Sequence, residues 1–391
     1  MLTGSVRIGA ALLLWIGLAV AGFKLHQHPD YGRDGSFSLI AGAVFGLLLQ
    51  RSRFCFFCIF RDFLVDRNSG PLYGILAALA VGSLGYQVIF GAWIIDPTAG
   101  HLPPGAHIGP VSWHLVLGGL AFGFGMALSG SCISAHLYRL GEGSVLAPVS
   151  LLGAVVGFGA GFLAWNALYV KAIATAPALW VPQHLGYAGS LFVQLLLFAL
   201  IGIYLLRFLP ERELREPGRI EFSDVGRAVF VNRWPTWVGG VGIGILGTFS
   251  YLRTEPLGVT AEIGKFSRKT FDWFALLPER LEGLEGLAGC STNPTPQLVG
   301  TNGIFISALV AAALAAALAA GQFRPKMVRL RLFPLAFSGG IFLGFGAMIS
   351  LGCTVGTLFS GIAAFALSGF VFALALIPGI WLGLQVKNRF E

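Results

Sequence analysis

The sequence predicts an all-α polytopic membrane protein, built from two inverted-topology repeats with short, broken or re-entrant helices. Three observations lead to this prediction. The chain of 391 residues is 55% hydrophobic and only 11% charged, whereas a soluble domain carries about a quarter charged residues. Apolar segments follow one another along the whole chain, and one glycine-rich motif occurs twice. These features exclude an ordinary water-soluble domain.

The apolar segments are the predicted membrane helices, since about 20 mostly apolar residues span a bilayer. We interpret the first, 8–23, as an uncleaved helix rather than a signal peptide, because many apolar segments follow it. Ten segments result, four of them short or interrupted by glycine. The short ones are 37–50, 113–131, 236–252 and 333–351, and the others are 8–23, 70–95, 145–169, 186–208, 302–321 and 364–386.

Basic residues set the predicted orientation of these helices. They cluster between segments two and three, after segments four, six and eight, and at the end of the chain, whereas the loop 96–112 has none. With ten crossings these clusters and both termini fall on one side, which the positive-inside rule assigns to the cytoplasm. The segment 253–301 is an exception, because its lysines and arginines fall outside. Its stretch "PLGVTAEIG" is apolar enough to re-enter the membrane.

The duplicated motif divides the chain into halves. "GGLAFGFGMALSGSC" (118–132) aligns without gaps on "GGIFLGFGAMISLGC" (339–353). The predicted crossings run in opposite directions at the two copies, and such inverted repeats are typical of transporters, with the substrate site at their interface. We therefore expect four regions: an extra N-terminal helix and outer loop (1–36), a first half (37–208), a cytoplasmic basic loop (209–235) and an inverted second half (236–391).

Each copy of the motif ends in a polar corner that we expect to line a path. Non-helical backbone survives at membrane depth only when it is buried in protein or faces a polar cavity. A short helix starting at each corner offers free N–H groups that attract anions. Close helix packing by small residues is the alternative explanation. The candidate site residues at the corners are Gly130, Ser131, Cys132, Ser134, Gly352, Cys353 and Thr354.

Thiols at these corners favour a sulfur-containing anion. An S–H group is a soft, weak donor, and several weak donors hold an ion without trapping it. Cys55, in "QRSRFCFFCIFRDF", lies at a basic turn and is the third candidate member of the path.

Several long motifs resemble one known family. "GLLLQRSRFCF", "GFGMALSGSC", "PLGVTAEIG", "GLAGCS" and "GGIFLGFGAMISLGCTVG" together are similar to the YeeE/YedE family of sulfur-transport membrane proteins. The resemblance covers the chain from about residue 40. It implies an hourglass-shaped bundle in a bacterial inner membrane, and uptake of thiosulfate or a related sulfur anion handed along by cysteine thiols. The family's transport cysteines fall on Cys55, Cys132 and Cys353. Cys58 departs from the family pattern, and a Cys55–Cys58 disulfide would remove a donor.

Secondary candidates are Arg53, His136 and Cys290. A helix after Cys132 would place His136 on the same face as that thiol; an interfacial histidine is the alternative. Cys290 matches a cysteine of longer family members. We place Arg51 and Arg53 at the rim of the inner vestibule, because an arginine at the constriction would bind a dianion too strongly. For Arg139 we weigh attraction of the anion on the inner side against a topology anchor, and favour the anchor.

The sequence predicts no cofactor and no resident metal. It contains no phosphate loop, nucleotide motif or coherent metal-ligand set, so we expect no ATP-driven step within the chain. The net charge of +8 fits membrane topology better than nucleic-acid binding. The expected partners are the lipid bilayer, the sulfur anion and a cytoplasmic sulfur-carrier protein.

Two alternatives to a transporter stay open. A membrane sulfurtransferase would hold sulfane sulfur as a cysteine persulfide and pass it to the carrier. This needs an activated thiolate beside positive charge, and Cys55, among arginines, meets that condition. A structural or assembly protein would leave the paired corners unexplained.

Overall fold

The computed structural model describes residues 4–210, 227–228, 231–287, 299–325 and 328–389. Over these ranges the chain is helical, with two isolated antiparallel bridges, Pro110–Ala178 and Trp180–Ala366, and no strand. The helices are α1 (Gly4–Gln27), α2 (Gly32–Ser52), α3 (Phe56–Asp66), α4 (Leu72–Trp93), α5 (Trp113–Ser129), α6 (Ile133–Gly141), α7 (Leu146–Leu168), α8 (Pro182–Leu205), α9 (Thr236–Arg253), α10 (Ala261–Trp273), α11 (Thr301–Ala319), α12 (Leu332–Ile349), α13 (Thr354–Ala363) and α14 (Leu367–Lys387).

The described part of the chain contains nine helical segments long and apolar enough to cross a membrane. The predicted polytopic membrane class is therefore confirmed. The tenth predicted segment, 236–252, does form a helix, α9, which is not among these nine. The two spans Gly32–Asp66 and Trp113–Gly141 each combine a long helix with a short one, α2 with α3 and α5 with α6.

Helix pairs at the centre pack at backbone distance. The pairs α7–α12, α5–α14 and α5–α12 have extensive contacts, as do α2–α11 and α4–α9. Glycines make this approach possible: a Cβ on Gly157 would overlap the Ile341 carbonyl, and one on Gly344 would overlap the Ala154 carbonyl. Small residues at such crossings are typical of helix packing in lipid.

The crossing of α5 and α12 is reciprocal. A Cβ on Gly118 would meet Ser350, and a Cβ on Gly339 would meet Ser129. These four residues occupy matching places in the two copies of the duplicated motif. The two helices are therefore antiparallel where they cross, since an early residue of each meets the end of the other.

Helices α1 and α8 lie at the periphery. α1 packs on α2 and α11, and α8 packs mainly on α4. Both expose large apolar side chains, among them Leu13 and Ile16 on α1 and Phe192 and Ile203 on α8. Apolar exposure of this extent fits a surface solvated by lipid.

Several cationic side chains, among them Arg7, Arg233 and Lys387, lie at one end of the bundle, which we call the basic face. Arg233 there bonds to the Gln50 carbonyl and, at 3.2 Å, to Glu142. The start of α1 is at the same face, since Arg7 lies against Gly321, and α14 ends there at Lys387. The opposite face carries the segment 94–112, which Tyr251 joins by a 2.8 Å hydrogen bond to the Pro104 carbonyl.

We predict that Gly344→Val destabilises the protein by at least about 1–3 kcal/mol, the usual cost of overpacking a core. The added side chain has to push α12 away from α7. Thermal unfolding in detergent measures the effect. The control is Gly17→Val on α1, where a Cβ meets nothing within 4 Å. Equal melting temperatures for the two variants would contradict the packing described.

Candidate functional site

The two duplicated motifs end in matching corners. The first corner follows α5, where Gly130 takes a left-handed conformation (φ 82°) and Cys132 caps the N-terminus of α6. The second follows α12, where Leu351 is left-handed (φ 60°) and Cys353 caps α13. A left-handed leucine costs about 1–2 kcal/mol, so surrounding contacts must hold the second corner. The predicted breaks and half-helices are confirmed.

Matching serines tie each corner to its own helix. Ser129 Oγ donates to the Gly125 carbonyl at 2.8 Å and lies 3.1 Å from the Ser131 carbonyl. Ser350 Oγ makes the same pair of contacts, at 2.5 Å to Gly346 and 3.1 Å to Gly352. The Ser131 and Gly352 carbonyls lie in the breaks after the helices, so each serine hydroxyl contacts a carbonyl of its own corner.

The three predicted transport thiols are buried in protein, with exposed fractions of 0% for Cys55, 0% for Cys132 and 1% for Cys353. Cys55 and Cys132 are close enough for their thiols to interact with each other. Cys353 is close enough to interact electrostatically with Cys132. The structure thus brings together thiols from three distant parts of the sequence.

Two neighbours extend this thiol group. Ser134 Oγ lies 3.3 Å from Cys132 Sγ, as its place in the first turn of α6 predicts. Cys55 caps α3, and the Cys58 amide donates to its sulfur at 3.5 Å. Cys55 and Cys58 are free thiols here, so both keep their donors.

The position of Arg139 differs from the one that the sequence predicted. It was expected to anchor the helix at the membrane surface, but its Nη2 lies 3.1 Å from Cys58 Sγ and its Nη1 donates to the Gly130 carbonyl at 3.1 Å. Lys387 Nζ lies near the same corner, 3.5 Å from where a Cβ on Gly130 would stand. Two cations therefore flank the thiols on the basic face.

The arginines before Cys55 differ from each other. Arg51 is 2% exposed, bonds to the Asn232 carbonyl and lies 5.9 Å from the Trp234 ring centre. It holds the 231–234 segment rather than lining a rim, so that expectation was wrong for Arg51. Arg53 is exposed in a left-handed conformation that ends α2.

The remaining candidates occupy different settings. Ser131 Oγ bonds to its neighbour Gly130 at 2.7 Å, and Thr354 Oγ1 is buried without a protein partner. Gly352 has no room for a side chain, because a Cβ would overlap Thr357 Oγ1. His136 is 3% exposed, with Nε2 unpartnered. Cys290 lies outside the described residues.

Two histidines that the sequence did not single out lie beside the second corner. His107 and His114 line a small crevice at the opposite face, together with Ser350 and Thr357. Both rings are buried, at 8% and 1% exposure. The sequence contained a hint in "HIGPVSWH" (107–114), where histidines immediately precede an apolar, glycine-rich helix.

Comparison with known proteins agrees with this architecture. A family model described as sulphur transport matches residues 51–382. The chain belongs to the sulphur transport family. As a member of that family it is a transporter rather than an enzyme.

Two relatives match the sulphur transport chain over nearly its full length. The thiosulfate transporter TsuA of Escherichia coli is 24% identical over 88% of this chain and 92% of the relative. The thiosulfate transporter TsuA of Spirochaeta thermophila is 26% identical over 88% of this chain and 96% of the relative. A probable transporter, YedE of Salmonella typhimurium, is 32% identical over 39% of this chain and 34% of its own length.

We predict that Cys58 reacts with N-ethylmaleimide at least about tenfold faster than Cys55, Cys132 or Cys353. Cys58 is partly exposed, whereas the other three thiols are buried, and a buried thiol is closed to the reagent. Peptide mass spectrometry of briefly labelled membranes measures the order. Equally fast labelling of Cys132 would show that the first corner is open to water.

Proposed function

We propose that the chain takes up thiosulfate, or a closely related inorganic sulfur anion, across a bacterial inner membrane. The anion enters at the opposite face, passes Cys353, Cys132 and Cys55 in turn, and leaves at the basic face. The observation that carries this proposal is the meeting of buried thiols from both corners with Cys55. The full-length relatives that transport thiosulfate support the choice of anion.

The chemistry of the donors supports conduction rather than tight binding. Thiols and hydroxyls are uncharged, and each contributes a weak hydrogen bond to an anion. Ser134 and Thr354 add hydroxyls beside Cys132 and Cys353. A chain of such donors replaces the hydration of the ion while leaving it free to move to the next site.

Cations stand at the receiving end of the path. Arg139 contacts Cys58 and the first corner, and Lys387 lies beside it. Placed after the thiols, they attract the dianion toward the basic face. That face is cytoplasmic in our proposal, with both ends of the chain there, as the distribution of lysine and arginine predicts.

Helix packing supports the inverted-repeat arrangement. α2 packs on α11 as α9 packs on α4, and α5 packs on α14 as α12 packs on α7. We therefore propose that 37–208 and 236–391 are the two halves, with 1–36 added in front and the basic loop 209–235 between them. The short helices α3, α6, α10 and α13 would form the waist of an hourglass.

We predict that Cys55→Ala, Cys132→Ala and Cys353→Ala each lower thiosulfate uptake by at least about tenfold, which corresponds to losing one hydrogen bond of about 1.4 kcal/mol at the barrier. Cys132→Ser should retain more uptake, since it keeps a donor. Proteoliposomes and radiolabelled thiosulfate give the rates. The control, Ser338→Ala, removes a hydroxyl that bonds only to Leu335 on α12. Undiminished uptake in all three alanine variants would refute the relay.

We predict that Arg139→Gln lowers uptake by about fivefold to tenfold, because a charged donor at the exit is worth more than a neutral one. Arg53→Gln removes an equal charge from an exposed position and should leave uptake within a factor of two of the wild type, about the effect expected of a screened surface charge. If both variants lose uptake equally, general surface charge rather than the Arg139 position is responsible.

The contact between Arg139 and Cys58 also favours a second candidate, a sulfurtransferase. Cys58 is partly exposed, and the adjacent Arg139 guanidinium can hold the anion beside its sulfur. The thiolate would attack the sulfane sulfur of thiosulfate, the S–S bond would break with its electron pair on departing sulfite, and a persulfide would remain for a cytoplasmic carrier. Mass spectrometry after thiosulfate exposure separates the two functions. A persulfide on Cys58 supports transfer, and unmodified cysteines during active uptake support passage of the intact ion.

A further inference from the structure

A small polar crevice beside the second corner, at the opposite face, takes no part in the relay. It lies where the segment 101–112 meets α5, α12, α13 and α14, and is lined by polar side chains: His107, His114, Ser350, Thr357 and Ser368. Only Gly352 separates it from Cys353, and a Cβ on that glycine would come within 3.5 Å of the His107 ring. The crevice thus adjoins the first thiol of the proposed path.

The hydrogen bonds of Ser112 fix the proton on His114. Ser112 Oγ lies 2.8 Å from the Ala172 carbonyl and 2.7 Å from His114 Nδ1. A carbonyl only accepts, so the single hydroxyl proton of Ser112 points to Ala172. Ser112 Oγ must then accept from His114, which places the ring proton on Nδ1.

His114 Nε2 consequently carries no proton and can only accept a hydrogen bond. It is buried without a protein partner. Ser112 and Ala172 lie outside the crevice lining, whereas His114 lines it, so the ring turns its Nε2 edge toward the crevice. An unpartnered lone pair there would repel an anion until it is protonated, and protonation converts it into a charged donor.

Among the described residues that surround the crevice, no other group supplies this charge. His107 is the second titratable side chain in the lining, but it already interacts with other groups of the protein, whereas His114 Nε2 has no protein partner. The segments of α5, α12, α13 and α14 that face the crevice carry no charged side chain, and Lys171, next to Ala172, is exposed. Cys353 beyond Gly352 is a neutral thiol donor.

We propose that this crevice is the entry site of the transporter, and that it takes up a divalent sulfur oxyanion together with one proton carried on His114 Nε2. The proposal rests on the transport function and orientation given above. The proton supplies the attraction that the neutral relay lacks, and it returns from His114 to the outer solution when the anion moves on to Cys353. Entry of the anion is then favoured by acid at the opposite face.

The present void in the crevice is about 10 Å³, the size of one water-sized sphere. A tetrahedral oxyanion needs more room, so the segment 101–112 moves outward as the anion enters. That segment is tied to α14 by a 3.2 Å bond from the Gly109 amide to Ser368 Oγ. Outward movement of the segment breaks this bond. It frees the Gly109 N–H and the Ser368 hydroxyl, both of which can then donate to the anion.

Calorimetry of thiosulfate binding to the purified wild-type protein in detergent tests the proposal. Two buffers with different enthalpies of ionisation reveal the protons exchanged. We expect net uptake of up to one proton per anion, and an affinity that rises by up to about tenfold for each unit that the pH falls. Binding without proton uptake would overturn the coupling and leave the thiosulfate-transport proposal intact.

A variant assigns the proton to its residue. His114→Asn places an amide near the Nδ1 position, so the bond to Ser112 is kept while Nε2 is lost. We expect this variant to bind thiosulfate without proton uptake. We also expect that an acidic outer solution no longer stimulates its uptake of thiosulfate into liposomes. His101→Asn, an exposed histidine of the same segment, should behave as wild type. Unchanged proton uptake in His114→Asn would overturn the assignment, whereas wild-type liposomes that take up no thiosulfate would overturn the transport function itself.

Discussion

The structure depends on one constraint: backbone polar groups at membrane depth have to be satisfied within the protein. Two helices, α5 and α12, break near the centre of the bundle, and each break leaves carbonyls and amides without helical partners. Ser129 and Ser350 take up some of these carbonyls. The glycine crossing of α5 and α12 then encloses both corners in protein. Because the corners must be buried there, the cysteines that follow them are buried as well.

Burial of the corners determines which chemistry they can offer. Full charges near the constriction would hold a dianion too firmly, and carboxylates would repel it. The thiols and hydroxyls found there are neutral donors, and the arginine and lysine stand beyond them at the basic face. Along the proposed path the groups change from weak neutral donors to fixed positive charge, which attracts an anion toward the basic face.

Much of this could be predicted from the sequence, because the duplicated motif fixes local structure. The half-helices after Cys132 and Cys353, and the close crossing, follow from glycines and serines at repeated spacings. The settings of Arg51, Arg139 and His114 could not be predicted. Arg51 is covered by the 231–234 segment, Arg139 meets Cys58 from another helix, and the proton on His114 depends on Ala172. These are contacts between distant parts of the chain, and the local patterns of a single sequence do not predict them.

The central claim is that the thiols of both corners line one passage for the anion. Anomalous diffraction from crystals grown with selenosulfate, a selenium analogue of thiosulfate, tests it most directly. We predict a selenium peak within hydrogen-bonding distance of Cys353, Cys132 or Cys55, enclosed between α5, α6, α12 and α13. A protein saturated with the ion, whose selenium peaks lie only at the lipid-facing surface or away from these sulfurs, would contradict it.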